Sequence, residues 1–184
     1  GGSYYDSRSD FGTSLSVDPE TNDYVLNRAP TRIKGVELTG AWKFNEAWKA
    51  SALYSRIRGK TSFWNSDLQG RYPAGGLNKP IGVSDINPDK IGASVTWNFV
   101  PEAGVTLSAT KLLSRDLSAT DVREFDNRQY KFEEHTRGYT LFDLSATYKL
   151  EKYGRVTVGI ENLTDKQYVL SWSQVDFYKN YFAG

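Results

Sequence analysis

Few residues in this 184-residue chain have a type and spacing that could make or break bonds. There is no cysteine, so thiolate metal sites, disulfides and cysteine nucleophiles are excluded together. His135 is the single histidine, which excludes multi-histidine metal sites. It follows Glu133 and Glu134 and reads as a solvated loop residue. Those two carboxylates are adjacent, so on a strand they point apart and form no acid/base pair. Asp85-Ile86-Asn87-Pro88-Asp89 lacks the Gly and the terminal Glu of a calcium loop and reads as a turn leading into a strand. Arg123, Arg128, Lys131 and Arg137 interleave with Phe125, Tyr130 and Phe132, a mixture that nucleic-acid binding would use. Asp121, Glu124, Asp126, Glu133 and Glu134 cancel that charge, so no nucleic-acid partner is expected. No glycine-rich phosphate loop and no nucleophile triad is visible, and the chain does not read as an enzyme. The chemistry left is binding. Phe63-Trp64 and Arg71-Tyr72 lie in one long loop, and Trp172, Phe177, Tyr178, Tyr181 and Phe182 in another. Rings beside cations offer flat apolar surfaces with some positive charge. The competing reading is that these rings pack the loops against one another.

The elements that would carry such loops are strands. Lys plus Arg number 23 against 22 Asp plus Glu, so the net charge is +1 and no global field steers the chain to an anionic partner. Mean hydropathy is −0.56 and apolar runs are only a few residues long. A membrane-spanning helix needs about 20 consecutive apolar residues and is excluded. Aromatics make up 14% of the chain, too many for a disordered polymer.

Alternation with period two runs through most of the chain. Val36, Leu38, Trp42 and Phe44 share one parity, and Glu37, Thr39, Ala41 and Lys43 the other. Ile91, Ala93, Val95, Trp97 and Phe99 alternate with Gly92, Ser94, Thr96 and Asn98. Phe142, Leu144, Ala146 and Tyr148 alternate with Asp143, Ser145 and Thr147, and Val156, Val158 and Ile160 with Thr157 and Glu161. Seven strands are expected, near 4–17, 32–44, 48–59, 89–100, 104–115, 139–150 and 155–163. Lys111 falls on an apolar parity, which predicts a bulge or a strand end there.

Connection lengths alternate between short turns, such as Asn45-Glu46-Ala47, and long loops, 18–31, 60–88, 116–138 and 164–184. That is an antiparallel up-and-down meander, the arrangement of outer-membrane barrels. Trp42, Phe44, Trp48, Trp97, Phe99 and Tyr148 all lie within a few residues of a short turn, as an interfacial aromatic girdle would. Val36, Leu38, Trp42, Ile91, Val95, Phe142, Leu144, Val156 and Val158 are then expected to face lipid. Glu37, Lys43, Thr96, Asp143, Thr157 and Glu161 are expected to face the lumen. Two alternatives remain: a complete small outer-membrane barrel acting as adhesin, anchor or membrane enzyme, and a soluble ligand-binding barrel with the apolar parity turned inward.

Three stretches carry a family resemblance: 32–38 (RIKGVEL), 139–148 (YTLFDLSATY) and 158–168 (VGIENLTDKQY). In this order and spacing they resemble the C-terminal barrel region of TonB-dependent outer-membrane receptors, most closely the ferric-siderophore branch. The third stretch is the most specific. The resemblance implies a bacterial outer-membrane location and a plugged barrel of about 22 strands. At ~10 residues per strand such a barrel needs roughly 220 residues in strands alone. The whole chain, 1–184, is therefore expected to be the C-terminal part of the barrel, without the plug domain and the final strand. The resemblance further implies a ferric siderophore as cargo and a TonB complex as partner, reached through the plug region. It implies no resident cofactor, because the iron arrives already chelated. Trp64, Arg71, Tyr72, Trp172 and Tyr178 are the residues expected to help form a chelate-binding mouth.

Overall fold

The computed structural model describes residues 1–17, 21, 23–28, 30–61, 77, 79–83, 85–116 and 135–174. Among them are twelve strands and no helix. These are β1 (Gly2–Ser9), β2 (Thr13–Val17), β3 (Tyr24–Arg28), β4 (Thr31–Lys43), β5 (Trp48–Thr61), β6 (Lys79–Pro80), β7 (Lys90–Val100), β8 (Ala103–Leu112), β9 (Arg115–Asp116), β10 (His135–Thr136), β11 (Tyr139–Leu150) and β12 (Gly154–Ile160). Seven of them make one antiparallel sheet in the order β1-β4-β5-β7-β8-β11-β12, with β6 added beside the end of β5. Every neighbour in that order is also the next long strand in the chain, so the sheet is a meander. Its terminal strands, β1 and β12, pair only with β4 and β11, and the sheet is open.

Three short turns join the long strands at one end. In the first, Asn45 Oδ1 accepts from the amides of Ala47 (2.9 Å) and Trp48 (2.8 Å), and Lys43 pairs with Glu46. That ammonium holds the Glu46 carboxyl below its ordinary pKa. The turn between β11 and β12 closes through Tyr153 N–H donating to the Leu150 carbonyl at 2.6 Å. Gly154 there has φ 117°, a value that L residues with a side chain rarely adopt.

Register settles which residues share a face. Directly paired residues run Trp42, Ala50, Val95, Leu107, Leu144, Ile160 across six strands. One residue along lies the row Ala41, Ser51, Ser94, Ser108, Asp143, which therefore points to the opposite side. Ser51 and Ser94 are linked through their hydroxyls at 2.8 Å, as are Thr96 and Thr106 at 2.8 Å and Thr147 and Thr157 at 3.0 Å. The sheet curves round this hydroxyl face, whose concavity is lined by Thr39, Ser51, Leu53, Gly92, Ser94 and Ser108.

The convex face is apolar and uncovered. Leu38 is 51% exposed, Val95 45% and Val158 64%. The buried large apolar side chains among the described residues are Val83 and Ile86, both in the connection before β7. Soluble monomers rarely expose contiguous apolar patches beyond a few hundred Å². A seven-strand sheet with one face apolar and uncovered, and the other polar, is a barrel wall and not a soluble sandwich. The expected outward set, Val36 to Val158, shares the convex face by register, and Glu37, Lys43, Thr96, Asp143 and Thr157 of the expected lumen set share the other, while Glu161 lies just past the end of β12.

Trp42 owes its position to Gly40. A Cβ on Gly40 would lie 2.4 Å from Trp42 Cη2, so the indole lies back over the bare backbone of its own strand. Trp48 and Trp97, direct cross-strand partners, stack with centroids 5.8 Å apart, and Phe99 meets Trp97 edge-on at 5.6 Å.

The seven expected strands are those of the wall, with two corrections. The expected strand 4–17 breaks at Asp10–Gly12, where the Phe11 amide bonds to Ser9 Oγ at 3.2 Å. Its second half, β2, leaves the sheet and pairs with β3, which lies in the region 18–31 expected to be loop. The misfit at Lys111 marks a strand end and not a bulge: β8 stops at Leu112 in unbroken register with β11. The bulge lies instead between Trp97 and Val100, beside the short turn.

Candidate functional site

Four long connections leave the sheet at the end opposite the short turns, the end at which the sequence leads one to expect binding. The first carries the β2–β3 hairpin, with Thr13 to Val17 paired to Arg28 to Tyr24. In the second, Ile81 and Ile86 fold over the concave side of β5. Gly59 permits this, since a Cβ there would sit 2.6 Å from Ile81 Cδ1 and 2.8 Å from Ile86 Cδ1. Arg115 clamps the same segment, donating from Nη1 to the Ile86 carbonyl (2.6 Å) and from Nη2 to the Ile81 carbonyl (2.8 Å). The turn expected at 85–89 lies earlier: the amides of Asp85 and Ile86 bond back to the Gly82 carbonyl, and Asn87 to Asp89 lead into β7. The third connection is pinned at its base by β9 and β10, where exposed His135 pairs with Asp116.

The fourth begins with the most distinctive stretch of the sequence, 161–168, and geometry gives it a structural task. Asn162 has φ 50° and Asp165 φ 47°, both left-handed. Asn162 Oδ1 accepts from the Lys166 amide (2.9 Å) while its Nδ2 donates to the Lys166 carbonyl (3.1 Å), closing the five-residue loop 162–166. Asp143 Oδ1, on the concave face, accepts from the Asn162 amide at 2.8 Å. The Leu163 amide donates to the Phe142 carbonyl, carrying the pairing with β11 just past the end of β12. The chain then turns so that Tyr168 stacks on Tyr139 with centroids 4.4 Å apart. Gln174 fastens the return: it accepts from the Arg137 amide (2.7 Å) and donates to the carbonyls of Arg137 (3.1 Å) and Val169 (2.7 Å).

Of the residues expected to form a chelate-binding mouth, Trp172 is described. It is 52% exposed on the turn 171–174, one residue from buried Ser171 and two from the Gln174 clamp. Trp64, Arg71, Tyr72 and Tyr178 lie outside the described residues, as do Phe63, Phe177, Tyr181 and Phe182. The Tyr139–Tyr168 stack is a ring pair at this end that the sequence reading did not single out. Its signal was available: Tyr139 opens β11 and Tyr168 closes the 158–168 stretch.

Residues 1–163 match the family model described as TonB dependent receptor-like, beta-barrel. The chain belongs to this family. TonB-dependent receptors are bacterial outer-membrane proteins, so the convex face described above is the lipid face of a partial barrel. Among curated relatives, the hemoglobin-haptoglobin utilization protein B of Neisseria meningitidis serogroup A is 28% identical over 163 residues, covering 85% of this chain and 18% of its own length. The protein of the same name from serogroup C matches over the same extent at 28% identity. The chain thus spans about a fifth of the length of these receptors. Among solved structures, the copper transporter OprC superposes with a TM-score of 0.64 over 93% of this chain and 24% of its own, at 20% identity, a likeness of fold.

Proposed function

We propose that this TonB-dependent receptor segment forms wall and mouth of a transporter that takes up a ferric siderophore, energised through the TonB complex. The observation that carries the transport wall is the pairing of an apolar convex face with a hydroxyl-lined concave one, kept in register across the seven strands. The siderophore as cargo rests on the stretch 158–168, which resembles the siderophore branch of the family. Such a cargo brings iron already coordinated, so the receptor contributes rings, cations and hydroxyls and holds no resident cofactor. Energy coupling belongs to a plug region outside this segment. Residues 1–184 supply the wall and the extracellular loops, and the role is transport without bond chemistry.

A second reading takes a carrier protein as the cargo. It is favoured by the two curated relatives, both named for hemoglobin-haptoglobin utilization. Equilibrium binding to the purified intact receptor separates the two. A ferric catecholate, a ferric hydroxamate and a hemoglobin–haptoglobin complex are titrated in parallel. The siderophore reading expects one ferric chelate to bind at least about tenfold more tightly than the protein complex, a difference of ~1.4 kcal/mol. Tight binding of the protein complex with neither chelate retained would replace the first reading with the second.

A further inference from the structure

The concave face changes character at the end of the sheet that carries the short turns. On β5 the inward residues Ser55, Leu53 and Ser51 are uncharged, and the next, beside the turn, is Lys49. Its direct partner on β4 is Lys43. On β11 the inward residues Ser145 and Thr147 are uncharged, and the next is Lys149, directly opposite Arg155 on β12. Each pair flanks a short turn, so both stand at one level. Short turns of outer-membrane barrels face the periplasm, which makes this level the periplasmic rim of the lumen.

Like charges directly opposed across a sheet are destabilising. Here two such pairs occur, and among the described residues one carboxylate relieves them. Glu46 pairs with Lys43, its own side chain 93% exposed. Lys49, Lys149 and Arg155 are exposed and form no ion pair among the described residues. Between the two pairs lie β7 and β8, where Asn98 folds across bare Gly104: a Cβ on that glycine would lie 2.4 Å from Asn98 Oδ1. The wall is therefore low and neutral between two raised cation pairs. Four cations against one carboxylate leave the rim electropositive, and low-dielectric walls focus such a field into the lumen.

We infer that Lys43, Lys49, Lys149 and Arg155 form an exit site for an anionic ferric chelate of the catecholate class, met as the cargo passes from lumen to periplasm. The inference rests on the siderophore reading above and narrows it. Three catecholate dianions outweigh one ferric ion, so their complex is anionic, whereas a ferric trihydroxamate is neutral. Charge complementarity selects the first. β5 and β11 are three strand spacings apart, ~14 Å. A chelate lying over Asn98 and Gly104 is then met by Lys49 from one side and Lys149 from the other, with flexible lysine stems closing the remaining distance. The wall above the rim holds such an anion less well. Its inward hydroxyls bond to one another, Ser51 to Ser94 and Thr96 to Thr106, each at 2.8 Å. The rim contact is between exposed charges, so salt screens it and the chelate is released.

Lysine acylation read by mass spectrometry on the purified intact receptor resolves the site residue by residue. The probes are a ferric tris-catecholate and a neutral ferric trihydroxamate, and exposed Lys60, on the convex face at the other end, is the internal reference. In the free receptor, Lys49 and Lys149 should react at rates comparable to Lys60. The tris-catecholate should slow both by at least about fivefold, and the trihydroxamate should slow neither. Lys43→Gln/Arg155→Gln should raise the concentration that half-protects Lys49 and Lys149 about tenfold, and the charge-keeping Lys43→Arg/Arg155→Lys should match wild type. Equal protection by both chelates, protection by neither, or undiminished protection in the glutamine variant would overturn the proposal. Lysines already shielded in the free receptor would also overturn it and assign the rim to an acidic polypeptide segment. Radioiron retention by the same samples separates the two claims. Tight retention of the tris-catecholate with Lys49 and Lys149 unprotected contradicts the exit site alone. Tight retention of neither chelate contradicts the siderophore reading on which it rests.

Discussion

Trp48 and Trp97 face each other across β5 and β7 as direct partners, their rings 5.8 Å apart and inclined by 13°. The pair sits on the lipid face beside two of the short turns. Interfacial depth suits indole, which keeps an apolar body in hydrocarbon and a polar N–H near the headgroups. A double-mutant cycle of Trp48→Ala and Trp97→Ala, read by urea unfolding from phospholipid vesicles, should give a coupling of about 0.5–1.5 kcal/mol. Additive losses would mean that the rings contribute only individual lipid burial.

The two faces should respond oppositely to charge. Val95→Arg places a guanidinium on the convex face between Ala50 and Leu107 and should cost about 2–4 kcal/mol near the bilayer midplane. Thr96→Arg, one residue along on the concave face, loses the hydroxyl bond to Thr106 and should cost about 1 kcal/mol. Refolding equilibria of both variants in vesicles give the comparison, and similar costs would contradict the face assignment.

Asn162 has a conformational requirement that two substitutions can separate. At φ 50° an alanine carries a steric cost of ~1–2 kcal/mol and also loses both bonds to Lys166. Glycine loses the bonds but not the conformation. Asn162→Ala should therefore be the more destabilising by about 1 kcal/mol in the intact receptor. Equal effects would show that the side-chain bonds alone hold the turn.

For the mouth, Trp172→Ala and Tyr72→Ala should each weaken binding of the cognate ferric chelate while leaving barrel assembly intact. A ring contact of ~0.5–2 kcal/mol corresponds to roughly 2- to 30-fold in affinity, and the double variant should exceed either single one. Isothermal titration with the full-length receptor measures this. Unchanged affinity in the double variant would leave these rings as loop packing.

The wall was legible because most of the long strands alternate: parity alone puts Trp42, Ala50, Val95, Leu107, Leu144 and Ile160 on the apolar faces of their strands, and register joins them in one row. Connection lengths then fixed neighbour order, since Asn45-Glu46-Ala47 is too short for anything but a hairpin. The loop end was less legible. β3 is five residues long, too short for its parity to stand out, and it pairs only with β2, so the sequence reads as loop there and β2 reads as a continuation of β1. The basic level on the convex face was also missed. Arg32, Lys34, Arg56 and Arg58 look like ordinary strand-end charges one strand at a time, and only the register places Arg32 against Lys60 and Lys34 against Arg58. The task of residues 161–168 was likewise hidden, because the Asn162 and Asp143 contacts join two different strands.

The central claim is that the apolar convex face is the lipid-facing wall of an outer-membrane receptor. Site-directed spin labels test it most directly, since no cysteine competes for labelling within these 184 residues. Labels placed singly at Val95, Leu144, Thr96 and Ser145 of the intact receptor in vesicles are relaxed by oxygen, which concentrates in lipid, and by a water-soluble nickel chelate. Val95 and Leu144 should respond to oxygen and be shielded from nickel, with Thr96 and Ser145 shielded from oxygen. Nickel access at Val95 and Leu144, with oxygen access at Thr96 and Ser145, would invert the wall and contradict the account.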